Sequence, residues 1–411
     1  MIRHFPSGHA QRLMVLLAGI GSVLAAAISV APVAGAGVSP AARAWRIEPS
    51  PVPTGAFASQ LGAVSCSGPG SCVAVGSGSY PSGHQLAHQL ALIERLSGGT
   101  WTIAANSAVR GATASPLDGV SCPVADFCVA VGYARFAHPQ AAFDALAETW
   151  NGTSWTRGLV PTPAGASEPS LAAVSCPAAG VCVAVGNYID SKTGQYRPLA
   201  ERLAGHTWSV VPAPDPHGAS GNSEFTGIDC AAPASCEAVG NVSYNDTLQS
   251  VFAYGLSGST WTRQRQVNPG PDPGNTDGAV SCSAASACTS VGSVFVVSQA
   301  ALAERWNGST WVRQATPAPV NRPENALYDV SCATGTSCVA VGVSARTVTS
   351  AKQAMAEVWN GTSWSQSPLA GMTGMTIGLS AVSCTSATAC IAAGDSATTS
   401  SESTLIEAYT G

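Results

Sequence analysis

The sequence predicts an all-β fold, a seven-bladed β-propeller of four-stranded antiparallel blades whose last blade is completed by the N-terminal strand. Three observations predict it. Fourteen cysteines fall into seven pairs with five residues inside each pair. Four short β-like segments recur around every pair, and one of the repeats is divided between the two ends of the chain.

Successive first cysteines stand 50 to 56 residues apart, a period that points to a repeat architecture before any single residue is considered. Each copy has an apolar segment ending in Val-Ser-Cys or a close variant, a second segment such as Cys-Val-Ala-Val-Gly, a variable loop, a third segment such as Ala-Leu-Ala-Glu-Arg-Trp, a Gly-centred turn and a Trp-led fourth segment. Strands are expected on β-branched content and bounding turns, for example over 119–122, 128–132, 145–150 and 155–160. Asn151-Gly152 sits where a hairpin needs positive φ. No 3.6-residue period competes, and four antiparallel strands repeated radially make a blade. Blades are expected to start near 61, 117, 171, 225, 277, 327 and 379.

The Trp-led segment occurs at Trp101, Trp155, Trp208, Trp261, Trp311 and Trp364, and the seventh copy stops at its third strand, Glu407 to Gly411. The missing strand is expected at 42–48, because Trp45 precedes Cys66 by 21 residues, as Trp311 precedes Cys332. Such a split repeat closes a ring, whereas a solenoid gains nothing from it.

The pairs expected to form disulfides are Cys66/Cys72, Cys122/Cys128, Cys176/Cys182, Cys230/Cys236, Cys282/Cys288, Cys332/Cys338 and Cys384/Cys390. Each brackets the hairpin between the first two strands, where directly opposed Cα atoms about 4.5–5.5 Å apart suit a bridge. Zinc sites usually group cysteines in fours at shorter spacing, so no metal is expected here.

The turn between third and fourth strands, as in Leu96-Ser97-Gly98-Gly99-Thr100-Trp101 or Trp306-Asn307-Gly308-Ser309-Thr310-Trp311, resembles the Asp-box (BNR) turn S-x-D-x-G-x-T-W of sialidase-like propellers. The glycine, hydroxyl and tryptophan match and the aspartate is absent from every copy. The whole repeat, over about residues 42 to 411, is similar to Cys-rich repeats of secreted actinobacterial proteins. The resemblance implies the architecture. It implies no catalytic residue, since in Asp-box propellers this turn is structural.

Arg3 and Arg12, the apolar run from Leu13 to Val30 and Ala34-Gly35-Ala36 read as a signal peptide over 1–36, followed by a single propeller over 37–411. An uncleaved N-terminal anchor is the alternative. Export fits the cysteine usage, and the expected location is extracellular or at the cell envelope. Only 10% of residues are charged and the net charge is -5, which excludes a nucleic-acid footprint. A monomer is expected.

Spacing from the second cysteine to the following tryptophan varies from 23 to 29 residues, so variation collects in the loops between second and third strands. Binding on a rigid scaffold usually resides in such loops. A residue present in nearly every blade reads as architecture, and a site must break the repetition. Glu94, Glu148, Glu201, Glu304, Glu357 and Glu407 recur at one third-strand position, with Tyr254 in the remaining copy, and read as structural hydrogen-bonding groups. The serine before each first cysteine reads alike, with Asp229 as the exception; Asp229 and Glu237 are unrepeated acids.

The candidate ligand-binding residues are Tyr80, His84, His88, Tyr133, Arg135, His138, Tyr188, Tyr196, Arg197, Asp229 and Tyr244. Tyrosine and arginine from neighbouring loops can stack on and hydrogen-bond a sugar or peptide. His84 and His88 would need a third ligand such as His138 to hold a metal, and two histidines in a polar loop read as solvated. Asp272, Asn275 and Asp277 lack the spacing and the closing glutamate of a calcium loop. No cofactor is expected, and no nucleotide-binding or nucleophile-elbow motif has a helix to open. The expected function is a non-catalytic binding or scaffold propeller for an extracellular protein or glycan. The alternative is an extracellular glycoside hydrolase or polysaccharide lyase.

Overall fold

The computed structural model describes residues 44–82, 87–107, 109–137, 143–216, 221–244, 248–266, 276–295, 297–371, 375–398 and 401–411, with only the main chain at 244, 248, 249 and 277. The expected signal peptide, His84 and His138 lie outside these residues. The described residues form strands and turns and no helix.

The strands assemble as four-stranded antiparallel groups. Four of them are separate sheets: β11 (Ala166–Ala178) to β14 (Thr207–Val210), β15 (Ser223–Ala232) to β18 (Thr260–Gln264), β19 (Thr276–Ala284) to β22 (Trp311–Gln314), and β23 (Glu324–Thr334) to β26 (Trp364–Gln366). The remaining strands make one mixed sheet of 13 strands. Within it, β2 (Ala58–Gly68), β3 (Ser71–Tyr80), β4 (His88–Ser97) and β5 (Thr100–Ile103) form one antiparallel run, and β7 (Leu117–Val124), β8 (Phe127–Phe136), β9 (Phe143–Trp150) and β10 (Trp155–Gly158) form another. The third run is β27 (Thr376–Ser386), β28 (Ala389–Ala397) and β29 (Glu402–Thr410), completed by β1 (Ala44–Glu48). Short parallel pairs join the runs, Ala58 with Glu402 and Gln89-Leu90 with Ala114-Ser115.

The N-terminal strand therefore lies where the split repeat puts it: Ala44 opposes Thr410 and Trp45 opposes Tyr409. Trp45 is buried, packs its ring tilted against Tyr409 at 5.0 Å and donates its indole N–H to Ser367 Oγ at 3.0 Å. One element was not foreseen. Pro116 has no N–H for a ladder and divides the innermost strand of its run, leaving β6 (Ala112–Ser115) to pair with both β4 and β8.

Sequence chemistry explains the repeated local geometry. A bulge in each inner strand, between Leu171 and Ala173 for example, brings main chain against the glycine that ends Cys-Val-Ala-Val-Gly. A Cβ at Gly186 would stand 2.1 Å from the Ser170 carbonyl oxygen, so no larger residue fits. Gly152 has φ 92° as its turn requires, and Asn151 Oδ1 accepts the N–H groups of Thr153 and Ser154. The apolar core lies between neighbouring groups: Val183, Val185 and Ala200 pack against Phe225, Ile228 and Tyr254 of the next sheet.

All seven expected disulfides are present: Cys66–Cys72, Cys122–Cys128, Cys176–Cys182, Cys230–Cys236, Cys282–Cys288, Cys332–Cys338 and Cys384–Cys390. Their Cα atoms are 3.9–4.2 Å apart, which corrects the wider separation expected from a generic strand pair. The reason is that the first cysteine turns its N–H away from the hairpin, Cys122 for example donating to Ser65 Oγ, so the two strands meet there as the narrower, non-hydrogen-bonded kind of pair. The second-strand half of every bridge is buried, which the spacing alone did not reveal. Cys72, Cys128, Cys182, Cys236, Cys288, Cys338 and Cys390, on the second strands, are all buried. Cys128, Cys182, Cys236 and Cys288 each belong to an apolar cluster that packs one group on its neighbour. Their sulfurs are therefore core atoms as well as cross-links. Seven bridges suit an oxidising, extracellular environment.

Candidate functional site

The residues just before the first cysteine of every pair line one cavity of about 290 Å³. A circuit of hydrogen bonds holds this lining together. The amide N–H groups of Cys66, Cys122, Cys176, Cys230, Cys332 and Cys384 donate to the Oγ atoms of Ser383, Ser65, Ser121, Ser175, Ser281 and Ser331 at 2.9–3.0 Å. Cys282 N–H donates to Asp229 Oδ2 at 2.7 Å instead. Asp229 thus stands in the serine position and extends it, its Oδ1 also accepting from Ser175 Oγ at 2.9 Å. Burial pushes its pKa up against the pull of these donors.

Two further acids in this lining were missed by the sequence reading. Asp118 stands four residues before Cys122, where the other copies carry Gly62, Ala172, Thr226, Gly278, Tyr328 and Ser380. It is exposed to the lumen, yet its enclosed surroundings raise its pKa to about 6. Asp329 stands three residues before Cys332, where the others carry alanine or glycine. Its oxygens accept from Val330 N–H at 2.8 Å and Val382 N–H at 2.7 Å. Burial, with a contribution from nearby Asp229, brings its pKa to about 7. Aligning the copies on their cysteines was the signal that could have found both.

A second cavity, about 600 Å³, shares Tyr328 and Ser380 with the first. Thr349, Lys352, Thr376 and Asp395 also line it. Tyr328 is 38% exposed, and Lys352, one of two lysines in the chain, is exposed. The Asp395 carboxyl is raised by burial and by Glu402 and lowered by Lys352. An aromatic face, a cation, a carboxyl and hydroxyls around one concavity can hold a polar ligand in a fixed orientation.

The tyrosine, histidine and arginine candidates are placed differently from the expectation that they lie in the variable loops between second and third strands. The second and third strands run farther than anticipated, so these residues lie on strand ends. His88 opens β4 opposite Tyr80, the last residue of β3. Tyr133 and Arg135 lie on β8, where Tyr133 packs on Phe143 at 5.8 Å and is raised in pKa by burial and by Asp118. Tyr188 lies on β12 (Val181–Asp190), and Tyr196 and Arg197 open β13 (Tyr196–Ala204). Arg197 is committed to Asp215 at 3.2 Å and to the Gly221 carbonyl at 2.9 Å, which keeps it folded against its own group. Tyr244 ends β16 (Ser235–Tyr244) opposite Leu248. Tyr133 and Asp118 meet near the lumen; Tyr196 is exposed away from the second cavity's lining.

The recurring glutamates are sealed away from both cavities. Glu94, Glu148, Glu201, Glu304 and Glu357 are 0% exposed and Glu407 is 1% exposed. Hydrogen bonding explains four: Ser50 Oγ donates to Glu94 at 2.9 Å, Ser107 N–H to Glu148 at 3.2 Å, Gln266 Nε2 to Glu304 at 3.1 Å, and Ala370 N–H to Glu407. Glu201 and Glu357 depart from the expectation, with no partner for either oxygen. The reason lies in the preceding link. Ser107 and Ala370 stand six residues after Trp101 and Trp364, and the same step from Trp155 and Trp311 reaches Pro161 and Pro317, which have no N–H to give. Burial accordingly lifts Glu201 and Glu357 to about 8, against about 7 for Glu94, Glu148 and Glu407. Where Tyr254 replaces the glutamate, Glu237 enters from the adjacent strand beside Gly255 and accepts from Gln264 Nε2 at 2.5 Å.

No family model and no curated protein matches the chain. Among solved structures, it is similar to YCF48 bound to D1 peptide and to YCF48 from Cyanidioschyzon merolae. Both are 12% identical with TM-score 0.52, covering 89% of this chain and 95% and 98% of those chains. It is also similar to the GH74 xyloglucanase from Xanthomonas campestris, at 13% identity and TM-score 0.52, over 88% of this chain and 55% of that one. These neighbours are propeller-type folds, and the likeness concerns the fold.

Proposed function

We propose that the chain is a secreted, seven-bladed β-propeller that holds a protein or glycan partner, without catalysis, on the face carrying the links between second and third strands. The carrying observation is the pair of cavities that share Tyr328 and Ser380. The accessible groups that break the repeat, Asp118, Tyr328, Lys352 and Asp395, collect there, whereas the repeated carboxyls are buried. Blade seven, on this reading, is β27 to β29 with β1, and residues 1–36 are removed on export.

A hydrolase would need two carboxyl groups free to act on one bond. Asp229 and Asp329 use both oxygens on main-chain N–H or hydroxyl donors, which leaves Asp118 as the one other acid among the described residues that line the lumen. That favours binding over hydrolysis. The test is a screen of the purified protein against glycan and peptide arrays, repeated with Tyr328→Ala and Lys352→Ala. Binding weakened about tenfold or more by either substitution supports the reading; uniformly negative arrays, or polysaccharide turnover abolished by Asp118→Asn, would overturn it.

A further inference from the structure

We propose, resting on the reading that this face holds a partner, that the cavity of about 600 Å³ beside Tyr328 takes a neutral pyranose residue of a glycan, with Asp395 accepting hydrogen bonds from its hydroxyl groups. The copies differ in how they satisfy the residue that follows the glycine of the second strand. Ser77 and Ser293 hold this position in the first and fifth copies, and Asp395 holds it in the seventh. Gln60 Nε2, on the inner strand, and Gln89 Nε2, on the third strand, donate to Ser77 Oγ at 3.4 and 3.0 Å. Gln299 Nε2 donates to Ser293 Oγ at 2.9 Å, and Thr276 Oγ1 lies 3.0 Å from it. In these copies both flanking strands bring a hydrogen-bonding side chain to the polar residue.

The seventh copy brings neither. Gly378 stands at the position of Gln60 and Thr276, directly opposite Asp395, and Glu402 stands at the position of Gln89 and Gln299. An ionised glutamate has no hydrogen to give. Asp395 consequently accepts no hydrogen bond from the described residues. Gly378 is not there for its backbone freedom or for a close approach. It has no positive φ, and a Cβ would meet only Val343 Cγ1 at 3.5 Å and Asp395 Oδ1 at 3.7 Å, ordinary contact distances. The glycine makes room that the fold does not demand, and a half-buried carboxyl without donors borders that room.

The charges around the cavity select a neutral ligand. Lys352 lines it and forms no ion pair among the described residues, so an ammonium approaching Asp395 meets a like charge, while Asp395 and nearby Glu402 oppose an anion. Hydroxyl groups can donate to a carboxylate and accept from an ammonium, and both bonds are charge-assisted. The other walls suit the ring that carries those hydroxyls. Tyr328 is 38% exposed and presents an aromatic body, and Val343 and Ile377 offer apolar contact to C–H groups. A pyranose presents adjacent hydroxyls on one edge and C–H groups on its faces, whereas a peptide main chain offers single N–H donors spaced along its length.

The test is calorimetric titration of the full chain with maltose, cellobiose, lactose and mannobiose, with digalacturonate and the glucosamine disaccharide as charged controls. The expected result is saturable binding of at least one neutral disaccharide at millimolar concentration and none of the charged pair under the same conditions. Gly378→Gln, which supplies from within the donor that Gln60 gives Ser77, is expected to weaken that binding about tenfold or more. Asp395→Asn keeps the side chain's shape and is expected to weaken it similarly, should the glutamine variant fold poorly. Asp118→Asn, in the lumen, is expected to leave the affinity unchanged. Binding of an array peptide that Tyr328→Ala abolishes, with no binding of any neutral disaccharide, would overturn the sugar and leave the partner face standing. Absence of every ligand from this face would overturn both. Equal binding by wild type, Gly378→Gln and Asp395→Asn, or tighter binding of either charged control, would also overturn the proposal.

Discussion

Replacing Glu201 with glutamine should change how stability depends on pH. Glu201 is fully buried, neither carboxyl oxygen has a partner, and burial raises its pKa from 4.5 to about 8. The folded state therefore keeps a proton that the unfolded chain releases above pH 4.5. Stability from this group is complete below the unfolded pKa, declines as pH rises, and is exhausted beyond the folded pKa. Each pH unit in that window costs about 1.4 kcal/mol per proton, so Glu201 alone removes at most about 3 kcal/mol between pH 4 and pH 7. Glu201→Gln keeps the shape and has no proton to lose. Its buried amide costs about 1–3 kcal/mol at every pH, which offsets the curve without tilting it. Urea unfolding followed by tryptophan fluorescence across this range should show a flatter profile for the variant, approaching or crossing wild type near neutrality. Parallel profiles for the two proteins would refute the reasoning, because they would mean that Glu201 takes up no proton on folding.

Pro161→Ala restores a main-chain N–H where Ser107 serves Glu148, and should shift the Glu201 titration from about 8 toward the value near 7 of Glu148, read by the same unfolding profiles. Gly186→Ala forces a Cβ to within 2.1 Å of the Ser170 carbonyl and should lower stability by about 2–3 kcal/mol, seen as a fall in the urea midpoint at unchanged slope. Asp229→Ser reinstates the repeated acceptor for Cys282 N–H and should be tolerated, whereas Asp229→Val leaves that amide unpaired and should cost about 1–3 kcal/mol. Loss of the bridge in Cys176→Ala/Cys182→Ala should cost on the order of 2 kcal/mol and leave the other six bridges in place by mass mapping under non-reducing conditions.

The architecture was legible because its determinants are local and repeated. Constant spacing of cysteine, glycine and tryptophan fixed the strands, the bridges and the position of Trp45 beside Tyr409. Burial of Cys128, Cys182, Cys236 and Cys288 was not legible in that spacing, since it depends on which cluster of the neighbouring group each second strand meets. Pro116 was visible, but its effect depends on which neighbouring strand lies close enough to capture β6, a matter of packing. The site was less legible for a different reason. Tyr188, Tyr196 and Arg197 were chosen by residue type, and type does not reveal that Arg197 is tied to Asp215. Asp118, Tyr328 and Asp329 were readable only by comparing the copies position by position, since each departs from a column of small residues. The orphaned state of Glu201 combines a buried acid with a proline from the preceding link, and neither residue signals it alone.

The placement of the bridges bears on the order of assembly. Every cysteine finds its partner six positions away along the backbone, so oxidation can proceed hairpin by hairpin as the polypeptide emerges, with little opportunity for wrong pairing and little need for reshuffling. The pairing of Ala44 with Thr410 works on the opposite schedule: it waits for the final strand. Until then β1 has no neighbour to receive it, and a chaperone or a protease would meet a row of finished, cross-linked modules with a single exposed edge at each end.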